Sequence, residues 1–183
     1  MHRNKFLNLL DGYTPQDSNE IKFKEDIINF VREHEDCFER SMPEGHITGS
    51  AWILDSTGNQ ALLTHHTKLD RWFQLGGHCD GDSDVLAVAI KEAQEESGID
   101  DIVAISENIF DIDIHLIPDN SREKAHYHYD IRFLLQIKQD KEVKCNSESK
   151  ALKWIGKDIR YIPTDNPSVI RMFNKWIEED LSC

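Results

Sequence analysis

The sequence predicts a layered α/β domain preceded by a helical segment. Three observations lead to this fold class. Strand-like segments alternate with helical ones from about residue 46 onward. Two of the helices, near residues 84–97 and 167–180, have capping residues at their starts. Roughly the first 40 residues show only helical spacing. A chain of 183 residues suits one domain with a small appendage. We therefore expect an N-terminal helical extension over residues 1–44 and one domain over residues 45–183.

The composition narrows the classes of function. Hydrophobic residues make up 39% of the chain and charged residues 30%, as in ordinary folded proteins. Acidic residues outnumber basic ones, 34 to 21, so the net charge of −13 argues against nucleic acid as a partner. No segment approaches the roughly 18 apolar residues of a membrane span, and the first residues do not form a secretory signal, so we expect no membrane partner.

The four cysteines predict a compartment rather than a metal site. They lie far apart in the sequence and form no Cys-x-x-Cys pair, which argues against a zinc ribbon. A chain of this length does not need disulfides to fold, so we expect reduced thiols and a cytoplasmic location.

The N-terminal segment is predicted to form two helices. Apolar residues recur at helical spacing around Phe6–Leu10 and again over Ile21–Val31, with a turn at residues 12–15 between them. Pro43 and Gly45 then end the helical pattern. Three roles remain open for this segment: packing against the domain, forming a homodimer, or closing over a site as a lid.

The next residues predict a hairpin. Residues 47–54 are mostly apolar and rich in strand-forming types, residues 55–59 suit a turn, and residues 60–64 resume the strand pattern. A polar loop with His65, Lys68 and Arg71 follows, and it leads to the pair Gly76-Gly77. Further strands are expected at residues 102–117, 126–138 and 151–155.

The clearest helix, residues 84–97, carries a group of carboxylates. Asp82 or Ser83 is expected to cap its start, and Gly98 suits its end. Glu92, Glu95 and Glu96 fall within an arc of about 100° beside the apolar face. Like charges so close repel one another unless something neutralises them, and Mg²⁺ prefers such oxygen ligands. The alternative is a solvated acidic face without a ligand.

The segment from Gly77 to Ile99 resembles the Nudix box. That pattern is Gly, five residues, Glu, seven residues, then Arg-Glu-apolar-x-Glu-Glu-x-Gly-apolar. Gly77 takes its first position, and residues 91–99 (KEAQEESGI) take its last part in the correct register. Ser83 and Lys91 replace the Glu and Arg that usually form a supporting ion pair, and Asp82 or Asp84 is a possible partner for Lys91. The segments HIT (46–48), WFQLGGH (72–78) and HYHYD (126–130) resemble a bacterial subgroup described as ADP-ribose pyrophosphatase-like.

The resemblance implies a fold, a reaction and a site. It implies an α/β/α sandwich around a mixed sheet, and Mg²⁺-dependent hydrolysis (Mn²⁺ being possible) of a nucleoside diphosphate linked to another group. ADP-ribose or a nucleotide sugar is favoured, and nucleoside triphosphates stay open. Glu95 and Glu96 are implied to hold the metal with the Gly77 carbonyl, and Glu92 to be a further ligand or the base. Two alternatives are an enzyme like isopentenyl diphosphate isomerase, whose cysteine motif has no convincing match here, and a non-catalytic nucleotide-binding module.

Two further groups of polar residues are candidate substrate-binding residues. His126, His128 and Asp130 alternate along a predicted strand and so share one face, where they would form phosphate contacts or a second metal site, or else an ordinary polar face. His65, Lys68 and Arg71 would receive the substrate phosphates, or else form a surface loop. Cys79 lies inside the box, but a catalytic thiol would need a lowered pKa, for which the sequence gives no sign.

Overall fold

A computed structural model describes residues 2–119, 124–147 and 149–180 of the chain. It contains four α-helices and a short 3-10 turn at Ile159–Tyr161. The helices are α1 (Arg3–Gly12), α2 (Ser18–Glu33), α3 (Val85–Ser97) and α4 (Pro167–Asp180). The strands are β1 (Gly45–Leu54), β2 (Gln60–His66), β3 (Arg71–Phe73), β4 (Leu75–His78), β5 (Ile102–Ala104), β6 (Asp111–Ile117), β7 (His126–Ile137) and β8 (Ser149–Gly156).

All eight strands belong to one mixed sheet that is built around β1. On one side β1 pairs in parallel with β7, from Gly45 opposite Tyr127 to Leu54 opposite Gln136. On the other side it has two antiparallel partners: the end of β1 pairs with β2, and its earlier part pairs with β4. Strands β5 and β6 extend the sheet beyond β7, while β3 and β8 pair with β2. The sheet therefore divides beside β1, where β2 and β4 separate.

Helices cover both faces of the sheet, which confirms the predicted α/β/α sandwich. Gly49 of β1 lies against α3, and a Cβ added there would come within 2.8 Å of the Val85 carbonyl oxygen. Trp52 points to the opposite face, where it packs 6.1 Å from Trp176 of α4 between ring centroids. Because neighbouring strand residues alternate in direction, β1 contributes to two separate hydrophobic clusters, one on each face.

The N-terminal helices pack into the first of these clusters. Phe6 of α1 and Ile27 of α2 are buried in the same cluster as Ile47 of β1 and Ala89 of α3. The predicted turn separates α1 from α2, and Asp17 caps α2 by accepting hydrogen bonds from two backbone N–H groups. Packing against the domain is thus what this structure shows for residues before β1. A boundary at residue 44 stays a prediction.

Two local features differ from the sequence-based expectation. Helix α3 begins at Val85 with Asp84 as its N-cap, rather than with Asp82 or Ser83. Short strands β3 and β4 occupy residues for which no strand was predicted, because their pairing depends on β1 and β2 rather than on their own sequence pattern. No helix among the described residues is both long and apolar enough to cross a lipid bilayer.

Candidate active site

A close approach between β4 and α3 forms the centre of the candidate site. Gly77 of β4 has no side chain, and a Cβ added there would lie 2.3 Å from Oε2 of Glu92. Only glycine therefore lets the backbone of β4 come so near to this carboxylate. Gly49, opposite Gly77 on β1, allows α3 to lie against the sheet in the same way. Two glycines on paired strands thus bring the carboxylates of α3 to the sheet.

The three predicted glutamates have different surroundings. Glu96 is buried, and its Oε2 accepts a hydrogen bond of 3.2 Å from the backbone N–H of Gly76. Glu92 is half-buried, and burial is the main reason why its pKa is raised, with the charge of Glu95 adding to the effect. Glu95 is exposed. The structure therefore places all three on one side of α3, at graded depths from the core to the surface.

Lys91 pairs with the glutamates themselves. Its Nζ lies 3.6 Å from Oε1 of Glu92 and 3.7 Å from Oε1 of Glu95. Asp84, one of its two candidate partners, instead pairs with Lys5 of α1 at 2.7 Å and caps α3. The other candidate, Asp82, accepts a hydrogen bond from the backbone N–H of Asp84. Lys91 thus offsets part of the repulsion between two of the three carboxylates.

The donor atoms of this site suit a hard divalent cation. Glu92, Glu95 and Glu96 offer carboxylate oxygens, and the missing side chain of Gly77 leaves the backbone of β4 open beside Glu92. Mg²⁺ and Mn²⁺ prefer oxygen ligands of this kind. Among the described residues these glutamates do not bring three oxygens within 4.8 Å of one another.

Asp130 lies at the centre of a buried hydrogen-bond network. Its carboxylate accepts hydrogen bonds from the hydroxyls of Thr48 (2.9 Å) and Ser50 (2.7 Å), from the amide of Gln74 (3.0 Å) and from Nε of Arg132 (2.7 Å). The donors come from β1, from the junction between β3 and β4, and from β7. Asp130 therefore holds together the strands at the point where the sheet divides.

His126 and His128 belong to a larger group of imidazoles. His126 and His128 share one face of β7, as predicted. His46 of β1 and His78 of β4 join them there, and the ring pairs in contact have centroids between 4.7 and 5.2 Å apart. Burial lowers the pKa of His46 to about 4 and that of His128 to about 2, and the neighbouring imidazoles add to both effects. Sequence reasoning missed His46 and His78 as members, because only the strand register brings them to β7.

The remaining predicted substrate-binding residues lie on the hairpin of β2 and β3. His65 stacks on Trp72 with ring centroids 4.9 Å apart, and its Nε2 lies 3.0 Å from Asp70. Lys68 and Arg71 are exposed. Strand β2 of this hairpin is the one that separates from β4 beside β1, so the hairpin borders the division in the sheet.

Cys79 has no features of a catalytic nucleophile. Its side chain is buried, and burial raises the pKa of its thiol well above the usual value. Cys37 and Cys145 are free as well, and Cys183 lies outside the described residues. A buried thiol with a raised pKa is poorly suited to form the thiolate that a nucleophile needs.

Comparisons with known proteins agree with this description. Residues 46–167 match the NUDIX domain family. No curated protein matches the sequence. Among solved structures, an Ap4A hydrolase from C. elegans is similar at 16% sequence identity with a TM-score of 0.60, covering 75% of this chain and 98% of that one.

Two further solved structures extend the comparison. An ADP-ribose pyrophosphatase from Streptococcus suis is similar at 20% identity with a TM-score of 0.52, covering 76% of this chain and 92% of that one. A UDP-X diphosphatase is similar at 13% identity with a TM-score of 0.54, covering 96% of this chain and 92% of that one. The last match extends into the N-terminal helices, and at these identities all three comparisons show a shared fold.

Proposed function

We propose a substrate class for this chain, which belongs to the Nudix family and is a Nudix-type pyrophosphohydrolase. It hydrolyses the pyrophosphate bond of a nucleoside diphosphate linked to another group. The proposal depends on Glu92 lying beside the backbone of Gly77 and on Glu96 accepting a hydrogen bond from the N–H of Gly76, with Glu95 near Glu92 through their shared contact with Lys91. Solved structures with this fold include proteins described as acting on Ap4A, ADP-ribose and UDP-X. ADP-ribose or a nucleotide sugar is the favoured substrate because the segments at residues 46–48, 72–78 and 126–130 resemble the ADP-ribose pyrophosphatase-like subgroup.

The residues of the site take distinct parts in the proposed reaction. Glu95 and Glu96 would hold Mg²⁺ or Mn²⁺ with the Gly77 carbonyl, and the bound ion would polarise the phosphoryl oxygens and acidify a water molecule. Glu92 is either a further ligand or the base that takes the proton as water attacks phosphorus. Lys91, within 4 Å of Glu92 and Glu95, keeps these two carboxylates near each other.

Substrate phosphates would meet the hairpin of β2 and β3. Lys68 and Arg71 are exposed cationic side chains in a chain of net charge −13, and such a local excess of positive charge attracts anionic ligands. His65 adds an imidazole that is oriented by its stacking on Trp72. We assign Asp130 a positioning role, since four donors of the protein already use its carboxylate.

A substrate panel tests this proposal. The purified protein is incubated with ADP-ribose, nucleotide sugars, dinucleoside polyphosphates and nucleoside triphosphates, in Mg²⁺ or Mn²⁺ and with a chelator as control, and the released nucleotide and phosphate are measured. We expect metal-dependent release from ADP-ribose or a nucleotide sugar. Activity only on nucleoside triphosphates would contradict the substrate class.

Inactivity across the panel would favour one of two other functions. A nucleotide that raises the melting temperature without being cleaved would indicate a binding module. If no nucleotide binds, turnover of isopentenyl diphosphate is the next assay, although the buried Cys79 makes an isomerase that uses this thiol a poor fit.

A further inference from the structure

Five of the nine histidines of the chain lie together at one end of the sheet. We call them the histidine cluster: His46, His78, His115, His126 and His128. A Cβ added at Gly77 would face Glu92 of α3. Neighbouring residues of a strand direct their side chains to opposite faces of the sheet. The side chain of His78 therefore lies on the other face of β4 from the glutamates, so the cluster is separate from the carboxylates of α3.

Three members of the cluster are arranged as metal ligands would be. One ring nitrogen from each of His46, His78 and His128 lies within 4.8 Å of the other two. Among the described residues, no other set of three histidine, cysteine or acidic side chains meets this condition. The three imidazoles come from β1, β4 and β7, and His46 is directly opposite His128 in the parallel pairing.

His46 provides a second and independent observation. It is only 1% exposed, and neither of its ring nitrogens has a hydrogen-bond partner. Leaving buried polar atoms without a partner is costly, so such atoms usually bind water, an ion or another polar group. A cation between the rings would satisfy the nitrogen that faces His78 and His128.

A hydrogen bond to a backbone carbonyl places a proton on Nδ1 of His126. Its Nδ1 lies 2.8 Å from the carbonyl oxygen of Lys124, which can only accept, so Nδ1 carries the proton. The other ring nitrogen of His126, Nε2, lies 3.3 Å from Nε2 of His128. Metal-binding histidines commonly donate their second ring N–H to a backbone carbonyl in this way.

We propose that His46, His78 and His128 bind a transition-metal ion, with Zn²⁺ as the favoured ion. Imidazoles without carboxylates suit Zn²⁺ rather than Mg²⁺, so this site and the glutamates select different ions. Three protein ligands leave a fourth position of a tetrahedral ion, which His126 or a water molecule would occupy. The bound ion would fasten together β1, β4 and β7 directly behind Gly77.

Zinc binding in the presence of excess Mg²⁺ tests this proposal. Metal-free protein is titrated with Zn²⁺ against a chromophoric chelator, while Mg²⁺ saturates the carboxylates. We expect about one Zn²⁺ per chain, and an affinity at least about tenfold lower in His78→Gln and in His128→Gln. Both positions are only partly buried, unlike His46, so these variants are the ones expected to fold.

Two control variants separate this site from others. His34→Gln removes a half-buried histidine that pairs with Glu44 outside the cluster, and it should leave zinc binding unchanged. The double variant Glu95→Gln/Glu96→Gln should also bind one Zn²⁺, even where hydrolysis is lost. Because zinc binding is measured without turnover, failure of the hydrolase proposal would not alter this result.

A second measurement needs no variant. Histidines of the wild-type protein are modified with diethyl pyrocarbonate, with and without Zn²⁺, and the modified positions are located by mass spectrometry. We expect Zn²⁺ to protect His78 and His128 but not His34. The proposal is overturned if wild-type protein binds no Zn²⁺ in excess Mg²⁺, if both variants retain full affinity, or if protection is absent.

Discussion

The ammonium group of Lys175 lies 2.7 Å from Oε1 of Glu20, and both side chains are almost fully buried. The Tyr13 hydroxyl completes this contact: it donates a 2.6 Å hydrogen bond to Oε2 of Glu20 and accepts one of 2.8 Å from Lys175. A buried ion pair therefore connects α4 with the N-terminal segment. Residues before β1 thus contribute polar as well as apolar contacts to the folded domain.

Glu20→Gln should destabilise the protein. Removing one partner of a buried ion pair leaves the other charge poorly compensated, at a cost of about 3 kcal/mol in the free energy of unfolding. Lys175 keeps Asp111 at 2.7 Å, so the loss should not be larger. Urea denaturation measures the effect. Glu25→Gln on the exposed face of the same helix is the control, and equal stability of the two variants would refute this role of Glu20.

Gly77→Ala should reduce activity more than stability. The new Cβ would meet the end of the Glu92 side chain, which can swing aside and thereby leave its place at the site. We expect at least about a tenfold loss of kcat/KM, because catalytic groups must keep their geometry. The melting temperature should change little.

Gly49→Ala is the matched comparison for that variant. Its Cβ would lie 2.8 Å from the backbone carbonyl of Val85, which cannot move without shifting α3. Overpacking of this kind costs about 1–3 kcal/mol. Thermal denaturation and steady-state kinetics on both variants check the contrast, and a Gly77→Ala protein with full activity would contradict the proposed site.

Glu95→Gln and Glu96→Gln should each lower turnover and Mg²⁺ affinity. An amide keeps the size of the side chain but removes the negative charge that a hard cation needs. We expect kcat to fall by about 100-fold or more. Isothermal titration with Mg²⁺ and the hydrolysis assay measure the two effects, with Glu25→Gln as control. If both quantities stay at wild-type values, the metal assignment is wrong.

Acid should destabilise the protein through Asp111. Burial by itself would raise the pKa of this carboxyl, but hydrogen bonds and charges from Arg171 and Arg132 outweigh it, so the net direction is downward. Because the pKa of Asp111 is lower in the folded than in the unfolded protein, its ionised form stabilises the fold. This stabilisation is complete above the unfolded-state pKa of about 3.9, and it is lost as the pH falls from there toward the folded-state pKa.

Thermal denaturation from about pH 7 to about pH 3 checks this dependence. Asp111→Asn should be less stable than wild type at neutral pH and should lose less on acidification, because the group responsible no longer titrates. Asp165→Asn, at an exposed position, should follow the wild-type curve. Parallel curves for wild type and Asp111→Asn would show that other groups cause the acid effect.

Local sequence patterns predicted most of the fold. The spacing of apolar residues located α1, α2, α3 and α4, and the Gly98 position at the end of α3 has the left-handed backbone (φ 71°) that favours glycine. Glu92, Glu95 and Glu96 lie on one helix, so helical periodicity alone placed them together. The resemblance to the Nudix box implied a place for this group near Gly77, and Glu92 lies there.

Features that depend on strand register could not be predicted in this way. Asp130 and His128 are two residues apart, yet Asp130 meets Thr48 and Ser50 while His128 meets His46 and His78. These partners are distant in sequence, and only the pairing of β7 with β1 and of β1 with β4 brings them together. A sequence pattern shows which residues share a strand face, but not what the neighbouring strand presents to them.

The parallel pairing of β1 with β7 also determines when the sheet can form during synthesis. Paired residues such as Thr48 and Asp130 are 82 positions apart, so β1 has no partner on that side until translation has passed β7. Contacts of such large separation slow folding, and the unpaired edge of an apolar strand promotes aggregation meanwhile. The nascent chain must therefore emerge as far as the end of β7 at Ile137 before its central strand is protected on both sides.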